Sequence, residues 1–156
     1  MRRLLPLLLL LSLLPLGIGC ATTGLQARVG FVELDQRQRP HLLLTDARLR
    51  LTSPVGKELA ALPDARVKAW GTLVGASMRV QHYQVLDAGN GFMAYVGWII
   101  YDQSGVRLKE WLNGREWTLV GEGVRDLREW HGNKVWITGL EDGPDEIRPL
   151  AWGRLD

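Results

Sequence analysis

Beyond about residue 26, polar and apolar residues alternate in short runs separated by Gly, Asn, Asp and Pro, the pattern of half-buried strands joined by turns. Val29 and Phe31 mark a first strand, His41 to Leu44 a second, Leu49 and Leu51 a third, Val67 to Gly71 a fourth, and Met78 to Leu86 a fifth. A second set follows in the same order: Val96 and Trp98, Val106 to Leu112, Trp117 and Leu119, Val135 to Gly139, and Glu146 to Trp152. In each set the period lengthens once. Val55 to Leu62 predicts a short helix, with Ser53 as N-cap, Pro54 at the first helical position and Pro63 stopping it. Val124 to Trp130 predicts its counterpart, closed by Gly132.

The two sets are copies of one unit. Ala27-Arg28-Val29-Gly30-Phe31 matches Ala94-Tyr95-Val96-Gly97-Trp98, and Asp35-Gln36 matches Asp102-Gln103, all at a shift of 67. At a shift of 68, Leu51 matches Leu119, Leu59 matches Leu127, Val67 matches Val135 and Gly71 matches Gly139, with Arg66 and Lys134, and Leu62 and Trp130, as conservative partners. Val80 and Ile147 return to 67. The chain divides accordingly into residues 27–87 and 94–156, joined by 88–93, where Ala88-Gly89-Asn90-Gly91 supplies turn residues. A unit of roughly 60 residues is marginal on its own because it buries only a modest share of its surface. An interface between the copies would help to hold both.

Three strands, a helix, then two strands is the order of the OB-fold, a small Greek-key barrel with its helix between strands three and four. Gly30 and Gly97 in the first strands, and the basic residue, Val and later Gly after each helix, resemble small exported bacterial OB-fold domains. The resemblance spans nearly the whole chain after the leader and implies an all-β fold with short helices, two tandem OB-fold-like five-stranded barrels. Its motifs are structural, and they identify an architecture rather than an activity. A single lipocalin-like barrel of ten strands is the competing fold, and the helix recurring in each unit speaks against it.

The N-terminus changes the compartment. Arg2 and Arg3 precede a 13-residue run, Leu4 to Leu16, broken only by Pro6, Ser12 and Pro15 and followed by Gly17-Ile18-Gly19-Cys20. This is the basic, apolar and small-residue order of an export signal over residues 1–19, too short and too Pro-broken for a spanning helix. Leu16-Gly17-Ile18-Gly19-Cys20 resembles the lipobox of bacterial lipoproteins, in which the cysteine thiol is acylated and becomes the new N-terminus. That resemblance implies a palmitate-type lipid attachment at Cys20 and anchorage in the membrane of a bacterial cell envelope. With Ala21 next, it implies the outer membrane, facing the periplasm. The family's Leu usually stands where Gly17 is, and Gly17-Ile18-Gly19 also suits ordinary signal peptidase, which would leave a soluble product starting at the same Cys20. Two acyl chains suffice for stable membrane residence. The tether formed by residues 20–26 reaches on the order of 20 Å, so the folded part would sit close to the bilayer.

Removing the leader also changes the charge. The whole chain has 19 Lys and Arg against 17 Asp and Glu, and loss of Arg2 and Arg3 leaves 17 of each. Neutrality argues against a strongly basic nucleic-acid binder, and a lone cysteine excludes an internal disulfide. The charge is unevenly shared. Residues 20–93 carry nine basic and six acidic side chains, whereas residues 94–156 carry eight and eleven. Opposite signs on similar units favour docking of one on the other, within a chain or between chains, and so allow for homo-oligomers.

Catalytic constellations are scarce. His41, His82 and His131 fall outside metal-ligand spacing, and no histidine is duplicated by the repeat. Glu141-Asp142-Gly143-Pro144-Asp145-Glu146 lacks the alternating ligands of a calcium loop and reads as a solvated connection. No Ser-His-Asp order, phosphate-binding Gly-Lys-Ser or Cys-x-x-Cys motif is present. The expectation is therefore of no enzyme, cofactor or metal, with a hydrolase the remotest alternative.

Seven tryptophans remain, and strand parity sorts them. Trp98, Trp117 and Trp130 align with Phe31, Leu49 and Leu62 on the expected core side. Trp111 alternates with Arg107 and Lys109, Trp136 lies on the side of Lys134, and Trp70 on the side of Lys68. An indole beside a cation on an OB-like sheet could stack on sugars or single-stranded bases. The same residues could instead fill the seam between the barrels or meet a protein of the envelope. The seam needs no further molecule and is the reading we favour. The expected function is thus a non-catalytic envelope lipoprotein serving as a protein-binding or structural module; carbohydrate or single-stranded nucleic-acid binding is the alternative.

Overall fold

The computed structural model describes residues 24–155, and Cys20 and the leader lie outside them. The order of elements is β1 (Gln26–Leu34), β2 (Pro40–Leu43), β3 (Arg48–Thr52), α1 (Pro54–Glu58), β4 (Arg66–Val74), β5 (Ser77–Asp87), β6 (Ala94–Asp102), β7 (Gly105–Glu110), β8 (Glu116–Leu119), α2 (Val124–Leu127), β9 (Lys134–Gly143) and β10 (Glu146–Arg154). The chain is mostly β-sheet with two short helices. Each helix is shorter than the sequence pattern suggests and runs on as a 3-10 turn, Leu59–Ala61 after α1 and Arg128–Trp130 after α2. Ser53 caps α1 as expected, accepting a hydrogen bond from the Gly56 N–H at 3.1 Å, and its own hydroxyl donates to the Val80 carbonyl at 2.6 Å.

Within residues 26–87, β1 pairs antiparallel with β2 and β4, β2 with β3, and β4 with β5, while β3 runs parallel to β5. The five strands form a closed circuit of pairings. Strands β6 to β10 repeat it: β6 pairs with β7 and β9, β7 with β8, β9 with β10, and β8 runs parallel to β10. Among the described residues the two circuits share one edge pairing, Val85 opposite Ala94.

The repeat partners sit in matching places. Leu51 and Leu119, Leu59 and Leu127, Val67 and Val135, and Val80 and Ile147 are all buried, the first of each pair in one core cluster and the second in another. Gly71 and Gly139 each lie where a side chain has no room. A Cβ on Gly71 would come within 2.2 Å of the Arg79 carbonyl oxygen, and one on Gly139 within 2.5 Å of the Arg148 carbonyl oxygen. Asp35 and Asp102 open equivalent hairpins. Asp35 Oδ1 accepts from the backbone N–H groups of Arg37 and Arg39, and Asp102 Oδ1 from that of Ser104.

The first strands depart from the sequence expectation. Phe31 and Trp98 face outward, 52% and 39% exposed, and Val29 is exposed with them; the inward positions belong to Gly30 and Val32, and to Gly97 and Ile99. The cause is the close approach of the neighbouring strand on that side. A Cβ on Gly30 would stand 2.4 Å from the Leu43 carbonyl oxygen, and one on Gly97 only 2.1 Å from that of Lys109. The strand must therefore present glycine to the inside, which turns its large apolar residues out. Trp117 lies in the second core as expected, and Trp130 packs half-buried against it.

Candidate functional site

The outward face of β6 is not left to solvent along its whole length. Ala94 and Val96 point away from the second core yet are buried, because they join the core cluster of the first half. Trp111, just beyond the end of β7, and Trp136, on β9, are half-buried against that same cluster, and so both belong to the seam. The close approach of β10 reinforces this packing, since a Cβ on Gly153 would meet the Trp136 indole nitrogen at 2.5 Å.

Polar groups meet at the edge of this apolar contact. Lys134, the first residue of β9, places its Nζ 2.7 Å from Glu58 Oε2 at the end of α1. The same carboxylate oxygen accepts from the Tyr83 hydroxyl of β5 at 3.0 Å. Above the ammonium lies the Trp111 ring, its centre 3.5 Å from Nζ, and Tyr83 meets Trp111 edge-on with centroids 5.2 Å apart. Only 14% of the Lys134 side chain and 19% of that of Glu58 remain accessible, so the pair is largely withdrawn from water. Each charge has compensation on more than one side: carboxylate and indole for the cation, ammonium and phenol for the anion. Burial, and secondarily the Glu58 charge, push the Tyr83 hydroxyl far above its ordinary range, so it serves as a neutral donor.

The other predicted residues are distributed elsewhere. Trp70 lies on the outer face of β4, stacked on His82 at 4.7 Å with Lys68 Nζ 4.8 Å from its ring centre, and it is half-buried. Arg107 is bonded to Asp102 and Glu116, and Lys109 is exposed opposite Trp98. Thus Lys134 joins Trp111 and Lys68 joins Trp70, while Arg107 and Lys109 take no part in the aromatic contacts of either. The lipid-attachment residue proposed at Cys20 lies outside the described residues. Sequence reasoning overlooked Glu58 and Tyr83. The one signal available for Glu58 was its place in the repeat, opposite Asp126, just as Lys134 stands opposite Arg66.

Groups suited to chemistry remain dispersed. His41 Nδ1 lies 3.0 Å from the Arg39 carbonyl, His82 is stacked on Trp70, and His131 Nδ1 accepts from the Tyr101 N–H at 2.9 Å. Among the described residues no three His, Cys, Asp or Glu side chains come together as a metal site. The acidic stretch 141–146 forms the β9–β10 hairpin, where Glu141 accepts from the Tyr95 hydroxyl at 2.6 Å and Asp142 pairs with Arg148 at 2.6 Å. Tyr95 is pushed up to about 12, first by burial and then by Glu141. A depression of about 310 Å³ lies over β2, β3 and α1, lined by Arg39, Pro40, Arg50, Thr52, Lys57 and Ala60, with Arg39 paired to Asp35 at 2.6 Å. Compared with family models, curated proteins and solved structures, the chain matches none.

Proposed function

We propose that the chain is a non-catalytic cell-envelope lipoprotein, anchored through acylated Cys20, whose two tandem OB-fold-like barrels form one protein-binding or structural module. The observation that carries the module reading is the use made of its aromatic and charged residues. Trp111, Trp136 and Lys134, three of the residues a ligand site could use, are engaged between the halves. The closed pairing circuits, with a helix after the third strand of each, support the barrel reading. Export rests on Arg2, Arg3 and the Leu-rich run ending at Cys20, and the folded part beginning at β1 leaves only a short tether to a bilayer. Localisation follows from that anchor: the outer membrane, facing the periplasm.

Mass spectrometry of the protein from its native envelope tests the anchor. A Cys20 N-terminus carrying acyl chains is expected; a free Cys20 thiol at the N-terminus, or a retained leader, would contradict it.

Trp70 keeps a second reading open. With His82 beneath it and Lys68 beside it, this partly accessible indole is the one predicted tryptophan outside the seam, and it suits a sugar ring or an unpaired base. Titration of oligosaccharides and oligonucleotides, read by indole fluorescence, decides it. A saturable change lost in Trp70→Ala supports such binding, and no response at millimolar ligand excludes it.

A further inference from the structure

The repeat relates two surfaces that have opposite fates. On the second half, Ala94, Val96 and Trp98 of β6 stand beside Thr138, Trp136 and Lys134 of β9. Ala94, Val96 and Trp136 pack on the first core and Lys134 reaches Glu58 of α1, while Trp98 stays 39% exposed at the rim. On the first half, the same register brings Ala27, Val29 and Phe31 of β1 beside Trp70, Lys68 and Arg66 of β4. That equivalent face is open. Val29 and Phe31 are 43% and 52% exposed, and Arg66 has no ion-pair partner among the described residues.

The receiving surface is duplicated as well. Lys134 is received by Glu58, one residue before the buried Leu59; the matching place, one residue before the buried Leu127, holds Asp126. Asp126 is exposed and likewise lacks an ion-pair partner among the described residues. Tyr83 lies opposite Ala69 in the first half, and the position opposite the corresponding Ile137 is Trp152, half-buried on the second core. One cation and one carboxylate are thus left unmatched at the two places whose counterparts bond to each other at 2.7 Å.

We propose that copies of this chain join head to tail, the β1–β4 face of one copy docking on the α2 end of the next, with Arg66 meeting Asp126 as Lys134 meets Glu58. Each new contact repeats the internal seam and buries Val29 as Val96 is buried. The excess of basic residues in the first half and of acidic ones in the second favours this order of halves over like meeting like. Such a contact is heterologous, because each copy offers a different surface at either end, so it generates open rows or rings rather than an isolated pair. The inference gives the module of the preceding section its partner and does not depend on acylation of Cys20.

Sedimentation velocity of the full-length chain in neutral detergent, over rising concentration at low salt, tests it. Growth beyond the dimer is expected, weakened at high salt. Arg66→Asp and Asp126→Arg should each weaken association about tenfold or more, and the two together should restore it. Val29→Glu should abolish it while leaving thermal unfolding of the single chain unchanged. A wild-type chain that stays monomeric, or association indifferent to both reversals, would overturn the proposal. So would a monomer whose β1–β4 face binds vesicles of anionic phospholipid in the Cys20→Ser variant. None of these outcomes bears on the mass of Cys20, so failure here and failure of the lipid anchor are separately visible.

Discussion

Lys134 holds its charge where little water reaches, and Glu58, Tyr83 and Trp111 take the place of solvent. Removing one member of such a pair leaves the other uncompensated, which costs more than the pair itself contributes. Lys134→Ala should therefore destabilise the protein by about 3 kcal/mol in chemical denaturation. Replacing both residues with apolar ones of similar length, Lys134→Met with Glu58→Met, should recover most of that loss. Tyr83 and Tyr95 add a pH dependence. Both phenols lose their protons less readily in the fold than in the unfolded chain. Their contribution is complete below about pH 10, where an unfolded tyrosine begins to ionise, and is lost as pH rises beyond it. Stability should fall between about pH 10 and 12, and Tyr83→Phe should flatten that fall. Asp35 has the opposite sign. Arg39 beside it and two backbone N–H groups hold its carboxyl well below the usual range, so its contribution is complete above about pH 4, the range of an unfolded aspartate, and is lost as pH falls below it.

Among the elements, the first strands and the first helix carry the most specific expectations. Gly97→Ala would drive a Cβ to 2.1 Å from the Lys109 carbonyl, where backbone must move, and should cost roughly 3 kcal/mol or more, with Gly30→Ala similar. Gly24→Ala, which meets nothing, should be neutral. Ser53→Ala removes both the cap of α1 and its tie to Val80, with an expected loss of about 1 to 2 kcal/mol read from the same denaturation curves. The strand order, both helix positions and the buried repeat pairs were legible in the sequence, because periodicity and Ser-Pro punctuation are local. The facing of β1 and β6 was not. An inward glycine carries no hydrophobic mark, so Val29 and Phe31 set the apparent core side while the close approach of the neighbouring strand decides the real one. Trp111 misleads similarly: alternation continued from Arg107 and Lys109 treats it as part of β7, which stops at Glu110.

At the scale of the whole molecule, a surface that covers a neighbouring core reads in sequence like a surface that forms one. Val96 is apolar for the sake of the other half, and nothing local distinguishes it from Ile99. Likewise the Glu58–Lys134 bond spans 76 residues and leaves only the trace that the repeat preserves in Asp126 and Arg66. The seam has an energetic role beyond its contacts. Two units of this size, each marginal alone, share apolar cover through Ala94, Val96, Trp111 and Trp136 and should fold as one cooperative body. Native-state hydrogen exchange, resolved by residue, tests that claim most directly. The slowest amides of β1–β5 and of β6–β10 should open at one common free energy, and Lys134→Ala should lower both together. Two separate levels of protection, with only one of them moved by the substitution, would contradict the account.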